Sequence, residues 1–425
     1  MTNLSNLICN RFDIINSQFN GSKPFDLGLI ETEDEEPSHT IGTSSLNSTK
    51  TDYAATGVGS KTLHCKHTFK GHNGAIYCVQ WSPCGRYIAS GSFDKTIKVW
   101  DVSSETEYST LNEHLLNITD VQWTNDSGQL ITGGYDNLVK LWDIVKSKCL
   151  FTATFSGFVQ TVAINNNNNN LIAVGTTSKE ITLIDKRQMN SVYTIMNDTM
   201  INTLQFNNDG NILYSGDYSG KIKLWDIRKS SSECMYQYLI DNNNNNNNNT
   251  NTHTENKVAS KPISFIHFSK IIEDGQQQFL AVNCYDNSIR IFDNTNNNNG
   301  NNNKEFKLTT HCTITGVKTK NYPIRSSFYS GNLSDSVYHS VGYDKDIDEE
   351  LNNIGKENNG NIKILASGSA DNFVHLFKID KKQQGSFTQL KLEGHKERVY
   401  ATHWHPKEPL LASCSADSTI KLWCT

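Results

Sequence analysis

The chain has 425 residues, 36% of them hydrophobic, and a formal net charge of −5. That balance gives no bulk attraction to nucleic-acid phosphates, and no apolar run approaches the roughly 20 residues that a membrane span needs. The ten cysteines include no Cys-x-x-Cys pair and read as thiols of a reducing compartment, not as a zinc or disulfide framework.

The opening MTNLSNLICNRFDII lacks a basic stretch followed by an apolar run, so it does not read as a secretory signal. An intracellular chain, nuclear or cytoplasmic, is expected. Residues 1–60 carry scattered apolar positions, the acidic run Glu31–Glu36 and a Ser/Thr/Asn-rich end. They read as a mostly disordered N-terminal extension, with Phe25-Asp26-Leu27 and Leu29-Ile30 as candidate docking peptides for another protein.

From residue 61 onward the chain is built on one phrase. GSFDKTIKVW, ending at Trp100, returns in variant form ending at Trp142, Ile184, Trp225, Phe292, Phe377 and Trp423. Each copy has a small residue, a polar turn, then alternating apolar and polar positions, the pattern of a half-buried strand after a hairpin turn. The turn positions Asp94, Asp136, Ser178, Ser219, Asp286, Asp371 and Asp417 lie 42, 42, 41, 67, 85 and 46 residues apart. The longer intervals hold Asn-rich loops at about 241–257 and 294–304 and a polar insertion at about 330–361, with an acidic patch at Asp344–Glu350.

A period near 42 with the aromatic-Asp pairs Trp100-Asp101, Trp142-Asp143, Trp225-Asp226 and Phe292-Asp293 resembles the WD-repeat family. The resemblance implies an all-β fold over residues 61–425: a seven-bladed WD-repeat β-propeller with four-stranded antiparallel blades, strands a to d running outward from a central channel. The last repeat stops two residues after its strand c, and Thr62–Phe69 precedes the first Gly-His. An N-terminal strand is therefore expected to close the ring and remove its last open edges. In blade three, six asparagines (Asn165–Asn170) fill an a–b turn as long as Ser82–Tyr87 in blade one, which Asn tolerates by entering left-handed conformations.

In WD-repeat blades a Gly-His histidine, a strand-b Ser or Thr, the turn Asp and the strand-c Trp form a buried hydrogen-bonded chain. The matching sets here are His72, Ser90, Asp94 and Trp100; His114, Thr132, Asp136 and Trp142; and His395, Ser413, Asp417 and Trp423. A buried carboxylate is costly unless paired, and a set repeated blade after blade is structural, not catalytic or metal-binding. Blades three to six are looser, with Ser178 and Ser219 in place of Asp and Ile184 in place of Trp.

Walker-type loops, dinucleotide fingerprints, His-Glu-x-x-His and nucleophile elbows are all missing from the sequence. No enzymatic activity, catalytic residue, cofactor or metal is expected, and function falls to surfaces. In the family, the residue before the turn Asp and the residue opening strand a surround one mouth of the channel. Six of the fourteen such positions here are aromatic. With Arg325 they give a candidate partner-binding face of Tyr77, Phe93, Tyr135, Tyr218, Tyr285, Arg325 and Tyr400, since aromatic and Arg side chains dominate binding hot spots. A protein or peptide ligand within a multiprotein complex is the expected partner; direct nucleic-acid or membrane binding is not.

Two alternatives stand beside this scaffold reading. Trp225-Asp226-Ile227-Arg228 looks like the box by which some WD-repeat proteins dock on the adaptor of cullin-type ubiquitin ligases. The closing repeat GHKERVYATHWHPKEPLLASCSADSTIKLW looks like the last blade of WD-repeat factors of second-step pre-mRNA splicing, which would make the chain a spliceosome-associated factor.

Overall fold

Alternate side chains of a β-strand leave the sheet on opposite faces, and in this chain both faces of the central strands are covered. In Leu138–Asp143, Trp142 enters the core facing the preceding repeat, while Val139 and Leu141 enter the core facing the next one. The strand is thus buried on both sides, not half-buried as the alternation suggests. Its polar position, Lys140, is itself 6% exposed. The stem lies along Trp142, with Nζ 5.9 Å from the ring centre, and the ammonium donates to Glu113 and Thr152. Long cationic side chains can cover apolar surface this way while keeping the charge solvated.

The computed structural model describes residues 63–188, 190–229, 233–240, 261–269, 278–297, 305–329, 362–380 and 383–424. The expectations for residues 1–60, for most of both Asn-rich loops and for the 330–361 insertion lie outside these residues. Seven four-stranded antiparallel sheets make up the described chain. The seven strands a are Ile76–Trp81, Ile118–Trp123, Val159–Ile164, Ile201–Phe206, Ile263–Phe268, Ser326–Phe328 and Val399–Trp404. Each packs beside the next, and the last beside the first, so they form the wall of a central channel. Seven apolar clusters fill the seven spaces between neighbouring sheets. The fold is a seven-bladed β-propeller.

Blade seven takes its outer strand from the start of the described chain. His64–Lys70 pairs antiparallel with Thr419–Cys424, and Phe69, 2% exposed, packs on Trp100 at 5.4 Å between ring centres.

The a–b turns bond to one another from blade to blade. The His405 ring meets the Gly85 carbonyl, the Cys84 amide donates to Ser127, and Asn125 Nδ2 donates to the Asn166 carbonyl. Asn165 Nδ2 then donates to the Gly210 carbonyl, while its Oδ1 accepts the amides of Asn167 and Asn168. The six-asparagine turn therefore works through side-chain acceptors. None of its residues has positive φ, contrary to the left-handed backbone that the asparagines suggest.

Candidate functional site

The three complete polar chains share one geometry. His72 Nδ1–H donates to Asp94 Oδ2 at 2.8 Å, Nε2 meets Ser90 Oγ at 2.8 Å, and the Trp100 indole donates to the same Oγ at 2.9 Å. His114, Asp136, Thr132 and Trp142 repeat this, as do His395, Asp417, Ser413 and Trp423. Burial alone would raise the pKa of Asp94; donation from His72, Thr96 and the Asn73 amide more than offsets it and holds the carboxyl well below its usual range. The looser blades rebuild the same pairing from other residues. Arg290 meets Asp286 in blade five and His375 meets Asp371 in blade six. In blade four Asp217 takes the carboxylate role, accepting from Asn197 and Ser219. Among the described residues no group of three or more His, Cys, Asp or Glu side chains could hold a metal ion.

These chains fix the b–c turns, and the turns fix one mouth of the channel. The residue after each turn position is left-handed in all seven blades: Lys95, Asn137, Lys179, Gly220, Asn287, Asn372 and Ser418, with φ between 63° and 77°. The residue before it donates its amide to the loop leading into strand a. Phe93 reaches the Ala75 carbonyl, Tyr135 reaches Asn117 and Tyr285 reaches Pro262. Opposite them, Tyr77, Thr119, Gln160, Asn202, Ser264 and Tyr400 each occupy a β-bulge at the start of strand a. A bulge re-aims the extra side chain; those of Thr119, Asn202 and Ser264 donate to the carbonyls of Val159, Ile263 and Ile324, which lead into or open the next strand a. The b–c turn and the start of strand a sit at one end of every blade, with a bulge in six of the seven, so the two sets of positions form one turn face.

Aromatic residues of that face meet in two groups. The rings of Tyr77 and Tyr400 meet at 5.0 Å, Tyr322 and Tyr400 at 5.8 Å, and Tyr135 and Phe158 at 5.4 Å between centres. Burial pushes the Tyr135 hydroxyl up to about 12. Burial first, and then neighbouring tyrosines, raise Tyr77 and Tyr285 further. Tyr77, Tyr135, Tyr218 and Tyr285 are half-buried, whereas Phe93 is 48% exposed. Leu115, 69% exposed, stands on the loop before strand a of blade two.

Two of the seven expected partner-binding residues are placed otherwise. Tyr400 is 4% exposed, covered by Tyr77 and Tyr322. Arg325, which leads into strand a of blade six, crosses the channel to blade two. Its Nη1 donates to Asp120 Oδ1 at 2.5 Å and its Nη2 to the Thr119 carbonyl at 2.8 Å, and its guanidinium lies 5.2 Å from the Phe265 ring centre. Blades two and six are not neighbours in the ring, so this pair spans the opening. Asp120 also accepts from Thr161 and from the Val162 amide. Asp120 lies outside the repeat's turn and rim positions, but an acid inside the strand Ile118–Trp123 is a signal in itself: a carboxylate there needs a partner.

Deeper in the channel, strand-a side chains accept amides of the following blade. Gln80 Oε1 accepts from Trp123, His267 Nδ1 from Phe328, and His403 Nδ1 from Trp81. Desolvation, and then the nearby His403, lower His267 to about 3, and desolvation lowers His403 to about 4.

On the opposite face, Trp225 is buried against Ser215, while Arg228 is 62% exposed at the side chain and grips Asp226 through Nε at 2.8 Å and Nη2 at 2.7 Å. Blade three presents a second fork, at a repeat whose strand c ends in Ile184-Asp185 and not Trp-Asp. Arg187, 67% exposed, closes on Asp185 at 2.5 Å.

Comparison with known proteins agrees with this architecture. Residues 63–101, 105–143 and 386–424 match the family described as WD domain, G-beta repeat, and residues 163–270 match the anaphase-promoting complex subunit 4 WD40 domain. The Denticleless protein homolog of Danio rerio is 21% identical over 86% of this chain and 47% of its own length. The homolog from Homo sapiens is 22% identical over 84% of this chain and 41% of its own length. The chain thus spans less than half the length of these relatives. Among solved structures, the Cps50 (Swd1) β-propeller domain of Myceliophteria thermophila superposes with a TM-score of 0.61 at 21% identity, covering 85% of this chain and 99% of that one.

Proposed function

We propose that this chain, a member of the WD-repeat family of seven-bladed propellers, is a non-enzymatic scaffold that docks a peptide or protein segment on its turn face. The observation that carries the reading is Phe93. It is a large apolar side chain 48% exposed, on a turn held by a buried polar chain and beside a rim of half-buried tyrosines. Aromatic side chains so held lose little entropy on binding, and the exposed Leu115 adds apolar area on the adjoining blade. Affinity purification of the wild type beside Phe93→Ala/Leu115→Ala tests this. Loss of co-purifying partners at an unchanged unfolding temperature is the expected result, and a partner set identical to that of the wild type rejects it.

A second reading is favoured by the two exposed arginine forks. Arg228 and Arg187 on adjacent blades present guanidinium groups already oriented by a carboxylate, a preorganised surface for the adaptor of a cullin-type ubiquitin ligase. On this reading Arg228→Ala abolishes adaptor binding, Arg187→Ala weakens it, and retention in the double variant removes the hypothesis.

A further inference from the structure

We propose that the turn face over blades six and seven recognises an acidic peptide segment of a protein partner. This deepens the scaffold reading and rests on it. Three pieces of backbone are joined there. The Ala370 amide donates to the Lys318 carbonyl, the Val399 amide to Ser369, and the Arg325 amide to Tyr400. Asn372 Nδ2 adds a bond to the Lys396 carbonyl. The loops 316–325 and 395–400 therefore form one continuous surface with the b–c turn of blade six.

That surface is cationic. Lys318, Lys320 and Lys396 are exposed, and no ion pair holds them among the described residues. Lys320 and Asn321 stand at the tip of a turn closed by the Tyr322 amide on the Thr319 carbonyl, with φ of 44° and 63°. Two consecutive positive φ values in a hydrogen-bonded four-residue turn are the geometry of a type I′ turn, which projects both side chains outward. Arg398 lies over the Tyr322 ring, 4.3 Å from its centre. Stacking leaves the guanidinium edge, the part that pairs with a carboxylate in a fork, directed away from the ring. The nearby acids Asp371 and Asp417 are turned to His375 and His395, so among the described residues of these loops Glu393 and Glu397 are the exposed acids that oppose the four cations.

Where blades one, two, four and five carry an aromatic residue before the turn position, blades six and seven carry Ala370 and Ala416, leaving room above the loops. The occupant is a peptide and not a nucleic acid. Stacking of bases needs open aromatic faces, and the Tyr322 ring is already engaged by Arg398 and Tyr400. The cations also form a compact group on two loops within a chain of net charge −5.

The test is fluorescence anisotropy on the full chain with three probes. These are a labelled peptide of alternating acidic and apolar residues, its Gln/Asn isostere, and a labelled single-stranded oligonucleotide. The acidic peptide is expected to bind about tenfold tighter than the isostere at low salt, an advantage that shrinks as salt screens it. Lys320→Glu/Lys396→Glu removes the advantage, and Lys148→Glu/Lys229→Glu, away from this face, keeps it. Lys320→Ala/Lys396→Ala gives the same direction with a smaller loss and no reversed charge. Equal affinity for both peptides, or wild-type affinity in both Lys320/Lys396 double variants, overturns the charge preference while leaving peptide docking intact. Tighter binding of the oligonucleotide overturns it in favour of nucleic acid. Binding of neither peptide also overturns it, and the scaffold reading then stands or falls on the Phe93→Ala/Leu115→Ala purification.

Discussion

At the scale of single residues, the propeller's buried ionisable groups give its stability two separate pH windows. His267 and His403 accept backbone amides through Nδ1, a role open only to an unprotonated nitrogen. Their folded pKa values of about 3 and about 4 lie below the ordinary 6.5 of an unfolded chain. The unfolded state therefore binds more protons below about pH 6.5, and stability falls from there downward by up to about 1.4 kcal/mol per pH unit per histidine. The turn carboxylates act lower. Asp94, Asp136 and Asp417 are held below their usual range, and Asp371 is lowered to about 2. Their contribution is complete above about pH 4 and is lost as pH drops through the folded values. Urea midpoints measured across pH should fall in two stages. Replacing His267 and His403 by Gln should flatten only the upper stage, because Gln80 already performs the same acceptor task. Backbone conformation allows a second test with opposite signs. Gly220 has φ +77° and a Cβ there would sit 2.6 Å from the Lys261 carbonyl oxygen, so Gly220→Ala should cost about 2 kcal/mol or more. Lys95 holds the equivalent position at φ 72°, and Lys95→Gly should be neutral or stabilising in the same urea assay.

At the scale of elements, closure of the ring depends on a strand far in sequence from its partner. His64–Lys70 supplies the outer edge of blade seven, with Lys421 donating to Thr68 across the pair. Deleting residues 1–62 should leave the unfolding temperature unchanged, whereas deletion through residue 70 should lower it sharply. Phe69→Ala should cost about 3–5 kcal/mol as a cavity between blades seven and one. Much of this architecture is legible in the residues alone, because each repeat states its own turn, strand and pairing residues. The set His72, Ser90, Asp94 and Trp100 can be read from spacing since all four act within one blade. Contacts between blades are harder to read. Asp120 and Arg325 meet across 205 positions, and no periodicity links them. The rebuilt pairs of blades four to six were hidden for a related reason: Asn197 keeps the histidine position but meets a carboxylate, Asp217, two residues before the turn position, and Arg290 and His375 reach their carboxylates from strand c. Burial of the strand-c lysines was equally hidden, since an alternating strand gives no sign that a second sheet covers its polar side.

For the whole molecule, the pair across the channel separates what holds the ring from what the ring can bind. Asp120 is 1% exposed and has three further donors, the amides of Val121 and Val162 and the Thr161 hydroxyl. Arg325 has the Thr119 carbonyl and the Phe265 ring besides Asp120. Removing one member of a buried ion pair costs about 3–5 kcal/mol because the other charge is stranded, and the two losses should differ here. Arg325→Leu leaves a carboxylate that keeps three hydrogen bonds, whereas Asp120→Leu leaves a guanidinium with one carbonyl and an aromatic ring. Asp120→Leu should therefore be the more damaging in urea unfolding, and the double variant should recover part of the loss, since two apolar side chains strand no charge. The same comparison bears on function. Arg325 is committed to Asp120, the Thr119 carbonyl and the Phe265 ring, so Arg325→Leu should lower the unfolding temperature while partners are still captured below it. Phe93→Ala should do the reverse, and loss of partner binding by both variants at a temperature where both are folded would place the docking surface inside the channel mouth and not on its rim.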